Sequence, residues 1–236
     1  MKRFLRVAPV ILLLLCSLSI AAQTAPAHRM LIGQEPAPNL GQLKMRLIAY
    51  HDCRRPHGCY LPDVDRQSRL AIEYLLRRAS HAKADEKLAL VLDIDETALS
   101  NWDEMAHDDF GYIAGDWNAW VEKKQATAIA GTLRLFNAAR QHSVAVFFIT
   151  GRSQQQEAVT LENLQAAGYH DWAGAAFRGP HPAGQSTAEY KSGERKKIVD
   201  AGYHIILNVG DQRSDLAGSP QAEVSVKLPN PFYYIP

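Results

Sequence analysis

What most constrains this chain is a set of short, almost uninterrupted apolar runs, each of which stops abruptly at polar residues. Leu88 to Ile94 reads LALVLDI and leads into Asp93-Ile94-Asp95-Glu96-Thr97. Val144 to Ile149 is followed by Thr150-Gly151-Arg152, and Ile205 to Val209 by Gly210-Asp211-Gln212-Arg213-Ser214-Asp215. Runs of this length and composition are strands buried on both faces. Ala173 to Phe177 and Val224 to Leu228 read as weaker strands. Helical segments fall between them. In the first, from Asp65 to about Arg78, Leu70, Ile72, Tyr74, Leu75 and Leu76 are interleaved with charges at helix-like spacing. Others run from about Ala128 to Arg140, from Ser153 to Ala167 with Gly168 beyond, and from Ser192 to Ala201, with Ser192 as N-cap and Gly202 past the end. Strands alternating with helices predict an α/β fold, a parallel sheet flanked by helices.

Ligands of such sheets bind at the carboxyl ends of the strands, which is where the polar clusters lie. Asp93 and Asp95, two residues apart at a strand end, can project to one side, and Asp211 and Asp215 add to the same edge. Crowded carboxylates repel one another, and a hard divalent cation relieves that repulsion. Mg²⁺ fits best, because it takes one or two carboxylates and keeps waters and a phosphate oxygen as further ligands. A carboxylate beside such a metal is a competent nucleophile toward phosphorus. The strand-end position favours Asp93 for attack and leaves Asp95 as general acid and base. Thr150 and the backbone around Gly151 can donate to phosphoryl oxygens. Lys191, read as standing just before the N-cap of the helix at Ser192, supplies a cation, with Arg152 as second candidate.

DIDET at Asp93 to Thr97, FFITGR at Phe147 to Arg152, YKSGERKKI at Tyr190 to Ile198 and VGDQRSD at Val209 to Asp215 resemble the four motifs of haloacid-dehalogenase (HAD)-type phosphatases. The branch resembled is that of plant acid phosphatases, vegetative storage proteins and bacterial class C enzymes, over about Leu88 to Pro236. The resemblance implies a Rossmann-like HAD fold with a small cap insertion after the first motif, at about 100–127. It implies Asp93 as nucleophile, Asp95 as acid and base, Thr150 as phosphate ligand and Lys191 as charge stabiliser. It also implies Mg²⁺ held by Asp93, the backbone carbonyl of Asp95, and Asp211, with Asp215 close by. The expected activity is a Mg²⁺-dependent acid phosphatase acting on small phosphate monoesters, such as aryl phosphates or nucleotides. Two other readings stay open: a non-catalytic binding or storage protein, and a phosphotransferase to alcohols. The segment from Asn101 to Gln125 carries Trp102, Phe110, Tyr112, Trp117 and Trp120, which either pack beneath a loop or stack on a leaving group.

Lys2, Arg3 and Arg6, the apolar run from Val10 to Leu15, and small residues at Ser19, Ala21 and Ala22 predict a cleaved secretory signal over 1–22, and hence a secreted or periplasmic protein. Residues 23–40 read as a flexible lead-in, and 41–236 as one domain. In an oxidising compartment Cys53 and Cys59, in CRRPHGC, predict a local disulfide, a metal site with His51 and His57 being the alternative. A net charge of +1 gives no reason to expect a nucleic-acid partner, and no further run is long enough for stable membrane insertion. His107 and His170 read as surface or packing residues, and the oligomeric state is not encoded in any recognisable pattern.

Overall fold

The computed structural model describes residues 37–236, so the expected signal over 1–22 and most of the lead-in lie outside the described residues. Two helices, α1 (Leu40–Asp52) and α2 (Tyr60–Ala79), precede the first strand, β1 (Lys87–Leu92). A short strand β2 (Leu99–Ser100), two helices α3 (Trp102–His107) and α4 (Ala114–Lys123), and β3 (Thr127–Ala128) follow. The main alternation resumes with α5 (Ala130–Gln141), β4 (Ala145–Ser153), α6 (Glu157–Ala166), β5 (Gly174–Arg178) and α7 (Thr187–Asp200). It closes with β6 (Tyr203–Gly210), α8 (Arg213–Leu216) and β7 (Val224–Lys227). Five strands form one parallel sheet in the order β5-β4-β1-β6-β7. The chain therefore reverses direction across the sheet at β1, the place where such sheets bind ligands.

β1 shows why its sequence is apolar throughout. Leu88, Leu90 and Leu92 enter the larger core with Val64, Ala71 and Leu75 of α2 and Leu135, Phe136 and Ala139 of α5. Ala89 and Val91 face the other way, into a smaller cluster with Tyr190 and Ile198 of α7. The alternation of side chains along a strand thus finds apolar partners on both sides. A register shift between Ala89 and Leu90, opposite Ile205 and Leu207, leaves Ile206 as the extra residue of β6.

β2 and β3 pair antiparallel and close the base of the segment expected as a cap; α3 and α4 lie between them. Cys53 and Cys59 form a disulfide that joins the end of α1 to the start of α2. α1 begins at Leu40, within the stretch read as lead-in, because Asn39 caps it: its side chain accepts from the Gln42 N–H at 3.2 Å. Two helix boundaries correct the sequence reading. β4 continues through Ser153, where a helix start was expected, and α6 begins only at Glu157 after a single 3₁₀ turn over Gln154–Gln156. α7 begins at Thr187 rather than Ser192, because Ser186 and Glu189 form a capping box. Lys191 is therefore inside the helix, not before its N-cap. Among the described residues no helix is long and apolar enough to cross a membrane.

α5 approaches α2 so closely that a Cβ at Gly131 would lie 2.5 Å from the Ser68 hydroxyl and 2.8 Å from its Cβ. Gly131→Ala is therefore expected to lower stability by about 1–3 kcal/mol in urea unfolding, despite alanine's better helix propensity. An unchanged or raised midpoint would contradict this packing.

Candidate active site

The chain leaves β1 through a tight turn in which the Ile94 carbonyl accepts from the N–H groups of Ala98 and Leu99, each at 2.8 Å. Glu96 sits in that turn at φ 53°, a left-handed conformation uncommon outside glycine. The turn leaves Asp93 buried and aims it at the cluster that follows β6. There, carboxylate oxygens of Asp93, Asp211 and Asp215 lie within 4.8 Å of one another, all three residues buried. Thr97 donates to Asp211 Oδ1 at 3.1 Å, linking the first turn to the last.

One cation enters this cluster. The Lys191 ammonium, from α7, donates to both Asp93 and Asp215. Burial works against its charge, but Asp215 and then Asp93 hold it protonated more firmly than an ordinary lysine. Asp211 is held by neutral donors instead, accepting from the side-chain amides of Gln212 and Asn230 at 2.7 Å each. Asp215 accepts from the Gln212 N–H at 2.7 Å. Its Cβ is also so near Gly210 that a Cβ there would approach it to 2.4 Å, so only glycine fits that position.

Burial pushes the Asp93 carboxyl well above the usual range, opposed by Lys191 and reinforced by Asp215, Asp211 and Asp95. The same cause lifts Asp211 to about 6, with Asp215 adding to it. Glu96 is pushed up to about 8, by burial first and then by Asp95 and Asp211. It accepts from the Tyr233 hydroxyl at 2.9 Å and the Asn101 N–H at 2.6 Å.

Asp95 turns to a different set of partners. The Arg152 guanidinium reaches its Oδ1 through Nε at 3.0 Å and Nη2 at 2.7 Å, and Asn101 Nδ2 donates to the same oxygen at 2.9 Å. Arg152 also donates to Thr160 Oγ1 at 3.1 Å and to Asn101 Oδ1 at 3.2 Å, with its guanidinium carbon 5.2 Å from the centre of the Trp117 ring. The fork expected for phosphate is thus committed to Asp95.

Asp93, Asp95, Gly151, Arg152, Lys191, Asp211 and Asp215 line one cavity of about 640 Å³. Thr150 is fully buried and does not line it; its hydroxyl oxygen accepts from the Arg152 N–H at 3.1 Å. The aromatic residues of the cap divide. Trp120 is buried and donates to Asn101 Oδ1 at 2.9 Å, and Trp102 stacks on His51 at 3.5 Å between ring centres. Phe110, Tyr112 and Trp117 face the cavity. His107 and His170 are exposed. Sequence reasoning missed Glu96, Asn101, Gln212, Asn230 and Tyr233 as site residues. All five lie within or beside the quoted motifs and the closing KLPNPFYYIP, but their role depends on contacts across the fold.

A parallel α/β sheet with carboxylates and a lysine converging on its carboxyl edge defines the class: a HAD-like fold with a phosphate-ester site. Residues 55–236 match the model of the HAD superfamily, subfamily IIIB (acid phosphatase), and the chain belongs to that family. Among curated relatives, it is 38% identical to Acid phosphatase 1 of Solanum lycopersicum over 179 residues, covering 75% of this chain and 69% of that one. It is 36% identical to a stem 28 kDa glycoprotein of Glycine max and 30% identical to vegetative storage protein 1 of Arabidopsis thaliana, spanning 61% of each. The class C acid phosphatase from Bacillus anthracis superposes with a TM-score of 0.63 at 21% identity, over 83% of this chain and 86% of that one, which shows the shared fold.

The raised carboxyls make stability depend on pH. From their ordinary values of 4.5 and 3.8, Glu96 and Asp211 rise to about 8 and about 6 in the folded state. The folded protein therefore binds more protons than the unfolded chain between about pH 4 and 8, and stability falls as pH rises through that window. With a chelator present, the thermal midpoint should be several degrees lower at pH 8 than at pH 5. A flat or rising profile would contradict the burial of these groups.

Proposed function

We propose that this chain is a Mg²⁺-dependent acid phosphatase that hydrolyses small phosphate monoesters through an aspartyl-phosphate on Asp93. The observation that carries the reading is the cluster of Asp93, Asp211 and Asp215, three buried carboxylates with one lysine between them. A single ammonium leaves that cluster with excess negative charge, and its donors are all hard oxygens, which fits a small divalent cation. Asp93, Asp211 and the backbone carbonyl of Asp95 would hold Mg²⁺, with Asp215 beside it. Bound there, the metal would neutralise the carboxylates and the charge of the incoming phosphate.

Asp93 attacks phosphorus; the ester bond to the leaving oxygen breaks, and Asp95 gives that oxygen a proton. Water then attacks the phosphorus of the acyl-phosphate, Asp95 takes its proton, and inorganic phosphate leaves with the Asp93 carboxylate restored. Lys191 and the Gly151 N–H bind the phosphoryl oxygens, and Thr150, buried behind the cavity wall, supports the turn by accepting from the Arg152 N–H. Arg152 and Asn101 hold Asp95 in place rather than binding phosphate. The disulfide supports export to an oxidising compartment. The stem glycoproteins and storage proteins among the relatives favour a second, non-catalytic reading, against which stands the presence of both Asp93 and Asp95.

Release of phosphate from p-nitrophenyl phosphate should require Mg²⁺ and fall by at least about a thousandfold in Asp93→Asn. Full activity in that variant would remove the mechanism, and an inert wild-type protein would favour the storage reading. Arg152→Lys tests the positioning of Asp95. A misplaced acid slows esters with poor leaving groups most, so kcat should fall at least about tenfold more for an alkyl phosphate than for p-nitrophenyl phosphate. Equal losses on the two esters would indicate a merely structural role.

A further inference from the structure

The cavity's other wall is formed by the cap, and it carries negative charge that the chemistry described above does not use. Glu104, on α3, lines the cavity at 8% exposure, and its Oε1 is buried without any hydrogen-bond partner. Asp108, one turn further along the chain, lines the same wall and forms no ion pair among the described residues. On the rest of the cavity wall, Glu96 and Asp211 have no cation partner among the described residues and are held by neutral donors. Arg152 neutralises Asp95, and Lys191 bridges Asp93 and Asp215. Arg178, on β5 and so outside the cap, donates to the Gln185 carbonyl at 2.6 Å and the Thr187 hydroxyl at 3.4 Å, pairs with no acid among the described residues, and keeps a buried Nε without a partner. The cations nearest Glu104, His107 and Lys123, are exposed and do not pair with it. A carboxylate oxygen shut away from solvent with no donor is costly, unless something that enters the cavity supplies one.

Beside these carboxylates stand Phe110 and Tyr112, whose ring faces favour cations. A wall of aromatic rings and unpaired carboxylates is the chemistry that recognises an ammonium group. We propose that this wall receives a positively charged leaving group, so that the preferred substrates are phosphate monoesters of amino alcohols or of other ammonium-bearing alcohols. The inference rests on the phosphatase reading: the phosphoryl group occupies the acidic cluster, and the cation lies against Glu104 and Asp108. Esters whose leaving groups are anionic are disfavoured by the same two carboxylates.

The test compares kcat/KM for phosphocholine with that for the phosphate ester of dimethylbutanol, in which a carbon replaces the quaternary nitrogen and the shape is kept. The wild-type protein should favour phosphocholine by at least about tenfold, the effect of one charge-assisted contact. Combining Glu104→Gln with Asp108→Asn should bring that ratio to within about twofold of unity. The ratio is internal to each protein, so a partly unfolded variant does not distort it. Equal turnover of the two esters by the wild type, or a ratio unchanged in the double variant, would overturn the inference while leaving the phosphatase reading intact. Failure of the wild type to release phosphate even from p-nitrophenyl phosphate would overturn that reading, and the inference with it.

Discussion

Repulsion among carboxylates gathered at the edge of the sheet is the constraint around which this structure is arranged. Asp93, Asp211 and Asp215 are buried within 4.8 Å of one another, an arrangement that isolated side chains would not adopt. Lys191 relieves part of it through two ion pairs, and amide donors from Gln212 and Asn230 relieve part of the rest. The strands supply the rigidity: their apolar faces are covered by α2 and α5 on one side and α7 on the other, so the cluster cannot relax by spreading. The C-terminal segment serves the same end. Asn230 donates to Asp211, Tyr233 to Glu96, and the Ile235 N–H to Gln212 Oε1 at 3.2 Å, strapping the chain's last residues over the acidic edge.

A second network joins the cap to the residue proposed to move protons. Asn101 stands at the start of α3; it donates to Asp95 and accepts from both Trp120 of α4 and Arg152. Arg152 in turn is fixed from α6 through Thr160 and lies over the ring of Trp117. The orientation of Asp95 is thus coupled to the packing of both cap helices. An arginine placed this way binds through planar, paired donors that a lysine does not reproduce. The same two helices carry cavity-lining residues, Glu104 on α3 and Trp117 on α4, so the wall proposed to meet the leaving group and the supports of Asp95 share one part of the fold.

Much of this could be read from the sequence, for a physical reason. Strands buried on both faces must be apolar throughout, so Leu88 to Ile94 and Ile205 to Val209 announce themselves, and the polar residues after them mark the ligand edge. The disulfide was legible from two cysteines six residues apart. Less legible were features set by contacts between distant segments. Lys191 lies inside α7 because Ser186 and Glu189 cap that helix earlier than Ser192 does. Arg152 pairs with Asp95 across 57 residues of chain, and no spacing rule predicts that choice over phosphate. The pairing of Tyr233 with Glu96 spans 137 residues, and Glu96 looks like an ordinary turn acid until its burial is known.

The central claim is that a metal-assisted carboxylate at residue 93 takes the phosphoryl group. It is tested most directly by a crystal structure of the protein with Mg²⁺ and fluoroberyllate, a mimic of the aspartyl-bound phosphoryl group. The account predicts beryllium bonded to a carboxylate oxygen of Asp93, fluorides facing Lys191 and Gly151, and a metal ion touching both Asp93 and Asp211. Fluoroberyllate on another side chain, or a metal ion held away from Asp211, would contradict it.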